Sequence, residues 1–348
     1  MDVLRHIRQA AIFAILFAGS SQAKLIWFSP DDISYRWGIA RGPIWLLEGG
    51  SLKTDVQGSD AGVKRGTPPK GLGGIEMSLP SSCRIHPAAV VSPQARLGEN
   101  VEIGALAVID GPVTIGDDCV IRPGAYLFGP MTLGRGNLVY SGAVLGERPQ
   151  HLKYNDEPTS VEIGDRNIFR EQVTIHRGTT HSMKTVIGDD NFFMVNSHIA
   201  HDCVVGNRCV LANGALVGGH CTLEDNVILS GNCAAQQFVR IGRLAMISGC
   251  SATTKDIPPF VIQQNIDNVV GVNVIGMRRA GISRDQINAV RSAFKMLFRE
   301  GLVLPAAMAK MERDLGSFDA VQEMLTFLRG CAKGVNLMRN RFHEDLAA

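Results

Sequence analysis

From Ile85 to Leu145 an aliphatic residue occupies every sixth position without a miss: Ile85, Val91, Leu97, Ile103, Ile109, Ile115, Ile121, Leu127, Leu133, Val139 and Leu145. The series resumes at Ile163, Phe169 and Ile175, and runs again at the same interval from Ile187 to Ile247. A period of six fits neither a helix nor a plain strand, and self-similarity at a fixed short period marks a repeat architecture. Gly often follows the apolar residue (Gly98, Gly104, Gly116, Gly134, Gly164, Gly188, Gly206, Gly242), and the fifth place is usually small (Ala89, Ala95, Ala107, Ala125, Ala143, Ala215). This is the hexapeptide pattern of a parallel β-helix. Three hexads close a triangular coil, so residues eighteen apart stack, and successive coils pair at roughly 4.8 Å. No coil can bury its apolar side alone; the stack makes the core.

Two breaks interrupt the period, Glu147 to Ser160 and Thr179 to Val186. Breaks in a solenoid map to loops on its outside, where binding groups are commonly carried. After Thr253 the hexads dissolve into Asp256-Ile257-Pro258-Pro259, read as the turn that ends the prism. Ser283 with Gln286 forms a capping box. Ile287, Val290, Phe294, Leu297 and Phe298 then recur at helical spacing, and further helices are expected around Ala306–Leu315 and Phe318–Arg329. The expected organisation is therefore an N-terminal segment 1–76, a hexapeptide β-helix 77–259 and a helical domain 260–348.

At 348 residues the chain has room for more than one domain, and its formal charge of +2 comes with no basic run or aromatic interleaving suited to nucleic acid. Residues 276–348 hold 12 Lys/Arg against 8 Asp/Glu, which suits either an ordinary solvated surface or a dock for an acidic carrier protein. Of the eight cysteines, Cys119, Cys203, Cys209, Cys221 and Cys233 fall at the small fifth place, as semi-apolar corner residues would. No C-x2-C pair supports a metal. Reduced thiols favour a cytoplasmic setting.

The start of the chain points the other way. Arg5 and Arg8, the short apolar run Ala10 to Ala18, and Ser21-Gln22-Ala23 have the form of a secretory signal peptide. The run is too short to span a bilayer. Because export conflicts with the chemistry argued below, the preferred reading is a start assigned too early, with Met77 as the true beginning; an unrelated extension is the alternative.

Six of the nine histidines fall between residues 151 and 220: His151, His176, His181, His198, His201 and His220. The stacking interval of eighteen carries His201 onto Gly219 and then Gln237, and Asp202 onto His220. An imidazole beside a carboxylate and a side-chain-free N–H suggests a general base, its orienting partner and an oxyanion donor. Polar residues on the solvent face of a prism are the structural alternative for any one histidine. A zinc site is a rival, but His198 and His201 are three apart in extended chain and no acidic pattern completes a ligand set.

Ile175-His176-Arg177-Gly178-Thr179, His198-Ile199-Ala200-His201-Asp202-Cys203 and Val205-Gly206-Asn207-Arg208-Cys209 resemble the acyl-carrier-protein:UDP-N-acetylglucosamine O-acyltransferases of lipid A synthesis. Val161 to Asn167, Gly271-Val272-Asn273 and Gly281-Ile282-Ser283-Arg284 extend the resemblance, which covers about residues 84 to 340. It implies a left-handed parallel β-helix, a homotrimer with sites in clefts between subunits, an acyl donor carried on the phosphopantetheine of acyl carrier protein, and no bound cofactor, metal or covalent acyl-enzyme. By the same resemblance His201 is the general base for the sugar 3-hydroxyl, Asp202 its orienting carboxylate and Gly219 the oxyanion N–H. His198, His220, Gln236 and Gln237 line the sugar and acyl path; Lys153, Asn273 and Arg279 contact the nucleotide sugar; Gly249 lies near the end of the acyl groove. Three departures stand near the acceptor: His151 and Gln236 replace the family's Asp and His, and the loop from Gln263 to Val270 is one residue short. The expected activity is transfer of a 3-hydroxyacyl chain to UDP-N-acetylglucosamine. N-acylation of a 3-amino sugar nucleotide, the related N-acyltransferase, and a non-catalytic trimeric scaffold are the alternatives.

Overall fold

The computed structural model describes residues 82–336, and expectations about the first 76 residues lie outside them. From Arg84 to Thr253 the chain forms strands of two to four residues that fall into three parallel sheets of a solenoid, with eleven, nine and eight strands once the last additions are counted. Arg84 pairs with Glu102 and Ile85 with Ile103, the expected interval of eighteen. First-place residues such as Ile109, Ile115, Leu127, Ile175, Ile199 and Val217 are wholly buried and form the core. Phe169 and Phe193 stack their rings at 5.0 Å inside it.

The other places in the hexad have equally physical reasons. Second-place glycines lie under the next coil. A Cβ added at Gly116 would stand 2.7 Å from the Gly134 carbonyl carbon, and at Gly98, Gly134, Gly164, Gly188 and Gly206 it would also strike the third-place Asp or Asn above. Those side chains fold back to accept backbone N–H bonds from the preceding coil, as Asp189 does from Asp165 at 2.8 Å. The fourth place turns the corner with positive φ, near 60° at Asp202, 62° at His220 and 67° at Phe238. Fifth-place thiols each donate to a second-place carbonyl of the next coil, at 2.9–3.2 Å, from Cys83, Cys119, Cys203, Cys209, Cys221 and Cys233. Cys83 belongs to this set although the period had not been extended back to it. Burial pushes the Cys209 thiol up to about 12, so it stays protonated. In the column that holds Cys119 and Cys209, Asn137, Asn167 and Asn191 replace thiols and bond one another's backbone at 2.9 Å.

Across the first break Leu138 pairs with Ile168, thirty residues on, and across the second Ile168 pairs with Phe192, twenty-four on. The extra chain emerges as loops while the ladder continues. The Asp256–Pro259 turn, expected to end the prism, instead makes one more corner. Ile257 bridges Ile241, and Val261–Gln264 adds a parallel strand beside Met246–Ile247 before Asn268–Val272 turns back antiparallel.

Among the described residues four helices follow: α1 (Val274–Arg279), α2 (Arg284–Phe298), α3 (Leu304–Leu315) and α4 (Asp319–Arg329). Ile287, Val290, Phe294 and Leu297 form the buried face of α2 as their spacing requires. The capping box is only half made. Ser283 accepts from Gln286 N, but the Gln286 side chain accepts instead from Ala320 N at 2.9 Å, satisfying a free N–H at the start of α4.

Candidate active site

The corner between the nine-stranded and eight-stranded sheets gathers the histidines. His198 stands on the strand His198–Ile199, and His201 and Asp202 make the turn that follows. His201 Nδ1 lies 2.7 Å from Asp202 Oδ2, with both residues buried. An ionised carboxylate only accepts, so Nδ1 carries the proton and Nε2 is left as the basic nitrogen. A Cβ added at Gly219 would stand 2.7 Å from His201 Cε1 and 3.0 Å from Nε2, so the glycine is what lets the ring lie flat against the next coil.

Asp202 is held by the second break. Thr179 N (2.9 Å) and Ser182 N (3.2 Å) donate to Oδ1, as does Ser182 Oγ at 2.5 Å, while Thr179 Oγ1 donates to Oδ2 at 2.7 Å. Asp202 N in turn donates to Thr185 Oγ1. Burial alone would raise this carboxyl, but the bonds from Ser182, Thr179 and His201 hold it well below the usual carboxylate range.

Around the pair, His151 meets His201 edge-on at 5.2 Å, and His220 does so at 5.0 Å. His220 stacks flat on Phe238 at 4.2 Å, and His181 stands edge-on to both rings. Burial lowers the His220 imidazole; His201, His181 and His151 add to this against the raising pull of Asp202. His198 Nδ1 lies 2.7 Å from Thr174 Oγ1, and burial followed by the nearness of His201 lowers it as well. His176, packed edge-on to His198, is driven to about 4 by burial and by His198 and His201.

The expected residues divide between faces. His201, Asp202, Gly219, His220, Gln236 and Gln237 share this corner, with both glutamines exposed; His198 adjoins it, and His151 and Lys153 come on the loop of the first break, where Lys153 is exposed. Asn273 and Arg279 lie elsewhere, lining a cavity of about 710 Å³ against the eleven-stranded sheet. Asn273 also caps α1, accepting from Gly276 N and donating to Leu244 O. Gly249 is exposed at a different corner, and a Cβ there would meet only Gly231 O at 3.5 Å. Column arithmetic missed Thr179, Ser182, Thr185 and Phe238. The first three belong to a break, where the interval of eighteen fails, and only Thr179 carried a signal, as the end of the Ile175–Thr179 motif; Phe238 lies eighteen after His220 but has no polar group to single it out.

Ligand atoms of His201, Asp202 and His220 fall within 4.8 Å of one another. The donor set suits a hydrogen-bonded anion better than a metal. Five donors already crowd two oxygens with about four lone-pair sites, and a cation would have to displace them.

A hexapeptide solenoid with an imidazole–carboxylate pair at one corner defines the class of hexapeptide transferases. Residues 94–129 and 184–219 match the family model described as bacterial transferase hexapeptide (six repeats), and residues 256–336 match that described as UDP N-acetylglucosamine O-acyltransferase, domain 2. The chain is 46% identical over 199 residues to an acyl-[acyl-carrier-protein]–UDP-N-acetylglucosamine O-acyltransferase of Anaeromyxobacter sp. (strain Fw109-5), covering 57% of this chain and 77% of that one. The UDP-N-acetylglucosamine acyltransferase of Bacteroides fragilis is 37% identical with a TM-score of 0.70, over 72% of this chain and 99% of that one. The corresponding Acinetobacter baumannii structure is 36% identical with a TM-score of 0.71, over 73% and 99%. This chain belongs to the acyl-[acyl-carrier-protein]–UDP-N-acetylglucosamine O-acyltransferase family and is an acyltransferase, as its motifs suggested. Among the described residues no helix is long and apolar enough to cross a membrane.

Proposed function

We propose that the enzyme moves a 3-hydroxyacyl chain from the phosphopantetheine thiol of acyl carrier protein to the 3-hydroxyl of UDP-N-acetylglucosamine, the first step of lipid A synthesis, in the cytoplasm. His201 Nε2 takes the proton of the sugar hydroxyl as its oxygen attacks the thioester carbon. Gly219 N–H, unencumbered by a side chain, faces the oxygen that gains charge. Collapse expels the thiolate, which leaves as thiol with the proton from His201. Asp202 keeps the imidazole in the right tautomer and offsets its transient charge. No covalent acyl-enzyme or metal enters this scheme; positioning and electrostatics carry it. The observation that supports it most is the buried His201–Asp202 pair lying under a glycine whose Cβ would strike the ring.

His198, His220, Gln236 and Gln237 line the path of sugar and acyl chain, and Lys153, Asn273 and Arg279 contact the nucleotide sugar, with Arg279 suited to phosphate. Because Asn273 and Arg279 lie against a different face from His201, a site that uses all three takes them from two copies, which supports a homotrimer with shared clefts. The exposed Arg284, Arg291 and Lys295 of α2 and Arg299 just beyond it line cavities of about 340 and 520 Å³ and give the acidic carrier a dock. Open space at Gly249 favours a long acyl chain.

His151, 5.2 Å from His201, favours a second acceptor, a 3-amino sugar nucleotide giving an amide. Purified enzyme would be offered hydroxyacyl carrier proteins of several lengths with UDP-N-acetylglucosamine and with its 3-amino analogue. Ester formation with the first is expected, lost about 10²–10⁴-fold in His201→Ala. Product from the analogue alone would move the acceptor, a ten-carbon preference would contradict the open groove, and full activity in His201→Ala would sink the mechanism.

A further inference from the structure

Two imidazoles compete for one carboxylate oxygen. His201 Nδ1 lies 2.7 Å from Asp202 Oδ2, and His220 Nδ1 stands 3.7 Å from the same atom. His220 Nδ1 is buried and has no hydrogen-bond partner, an arrangement that is uncommon because it forfeits solvation without replacement. The two rings are edge-on at 5.0 Å, so a small swing of the carboxylate would exchange one partner for the other.

What stands against the exchange is a hydroxyl. A carboxylate oxygen offers about two lone-pair sites. On Oδ2 His201 Nδ1 and Thr179 Oγ1 already stand at 2.7 Å each, and with the three donors on Oδ1 five share the carboxylate's roughly four sites, so a sixth from His220 gains least. Oδ1 is pinned by Thr179 N, Ser182 N and Ser182 Oγ. The Ser182 hydroxyl has one proton and two acceptors, Asp202 Oδ1 at 2.5 Å and Lys184 O at 2.9 Å, and the nearer, charged one is the stronger. Thr179 is itself buried, so water has poor access to take over its bond.

We infer that Thr179 is a positioning residue. By crowding Oδ2 beside His201 Nδ1, its hydroxyl leaves His220 at 3.7 Å and reserves Asp202 for His201. The second break then does more than decorate the solenoid: it selects which of two adjacent histidines becomes the base. The inference rests on the reading of His201 as that base.

The test uses the full chain with ¹⁵N-labelled histidine, reading the tautomer and hydrogen bonding of each ring by NMR beside steady-state kinetics. Thr179→Val removes the hydroxyl and keeps the shape. His220 Nδ1 is expected to become a protonated donor to Asp202, the His201 Nδ1–H signal to weaken, and kcat to fall about tenfold, with KM for both substrates within about twofold. Thr179→Ser should restore the wild-type pattern, and Thr179→Val with His220→Phe should restore the His201 signal by removing the competitor. Should the valine variant fail to fold, Thr179→Ala serves the same comparison. Unaltered tautomers in a folded hydroxyl-less variant, a change confined to KM, or failure of serine to rescue would each overturn the inference. Activity retained by His201→Ala would instead overturn the base assignment, while the NMR result on which imidazole donates to Asp202 would stand by itself.

Discussion

Gly219 is intolerant of even one carbon, because its nearest neighbour is the His201 imidazole. In Gly219→Ala the new Cβ would stand 2.7 Å from His201 Cε1, so the ring has to move. The fold should survive, because a side-chain ring gives way and the backbone ladder stays intact. We expect kcat to fall about 10²-fold with the thermal midpoint within a few degrees; a wild-type kcat would mean that His201 need not lie where it does. His176 makes a prediction about pH. It titrates near 4 in the folded chain against 6.5 for the free side chain, because burial and two neighbouring histidines disfavour its charge. The unfolded chain therefore binds a proton that the folded one refuses. Stability is complete above about pH 6.5 and is lost as pH falls towards 4, by up to about 1.4 kcal/mol per unit. Denaturant unfolding between pH 7 and 4.5 should show this loss, and His176→Phe should lessen it, with the lowered His198 and His220 supplying the rest.

Within the solenoid each place in the hexad obeys its own rule, so a substitution that harms at one place has a stabilising counterpart at another. Gly116→Ala sets a Cβ 2.7–2.8 Å from three backbone atoms of Gly134 and Arg135, with no flexible side chain to yield. It should destabilise by about 1–3 kcal/mol. Leu106 sits at a fourth place with φ 59° and is 68% exposed, so its side chain gains little from burial. Leu106→Asn, better suited to left-handed backbone, should stabilise by up to about 1 kcal/mol, seen as a higher thermal midpoint. The first and fifth places were legible in sequence because burial acts directly on residue type. The fourth was not: Asp, Asn, His, Leu and Phe all occupy it, and only backbone geometry unites them. Gln286 escaped for a different reason. Its local signal was genuine, but a more distant N–H, at Ala320, outbid the capping box.

Across the whole molecule, legibility followed the ladder. Where it was regular, the hexad period made the solenoid readable, and an interval of eighteen placed His201 against Gly219 and Asp202 against His220; the helices were read separately, from their own spacing. Where the chain left the ladder, the hydroxyls that hold Asp202 fell 20 and 23 residues away and no arithmetic found them. The separation of Arg279 from His201 belongs to this scale too. If one copy supplies each, inactive His201→Ala and Arg279→Ala chains that are dissociated, mixed and reassembled should regain about a quarter of wild-type activity. Continued inactivity in mixed trimers would place both residues in one copy's site. The loops that carry His151 and Thr179 lengthen two rungs from eighteen residues to thirty and twenty-four. Since closure entropy grows only with the logarithm of length, the longer detour opposes folding by about 0.5 kcal/mol. Coils can zip past such an insertion nearly as fast as without it, so new chemistry can be spliced into a finished scaffold without renegotiating how that scaffold folds.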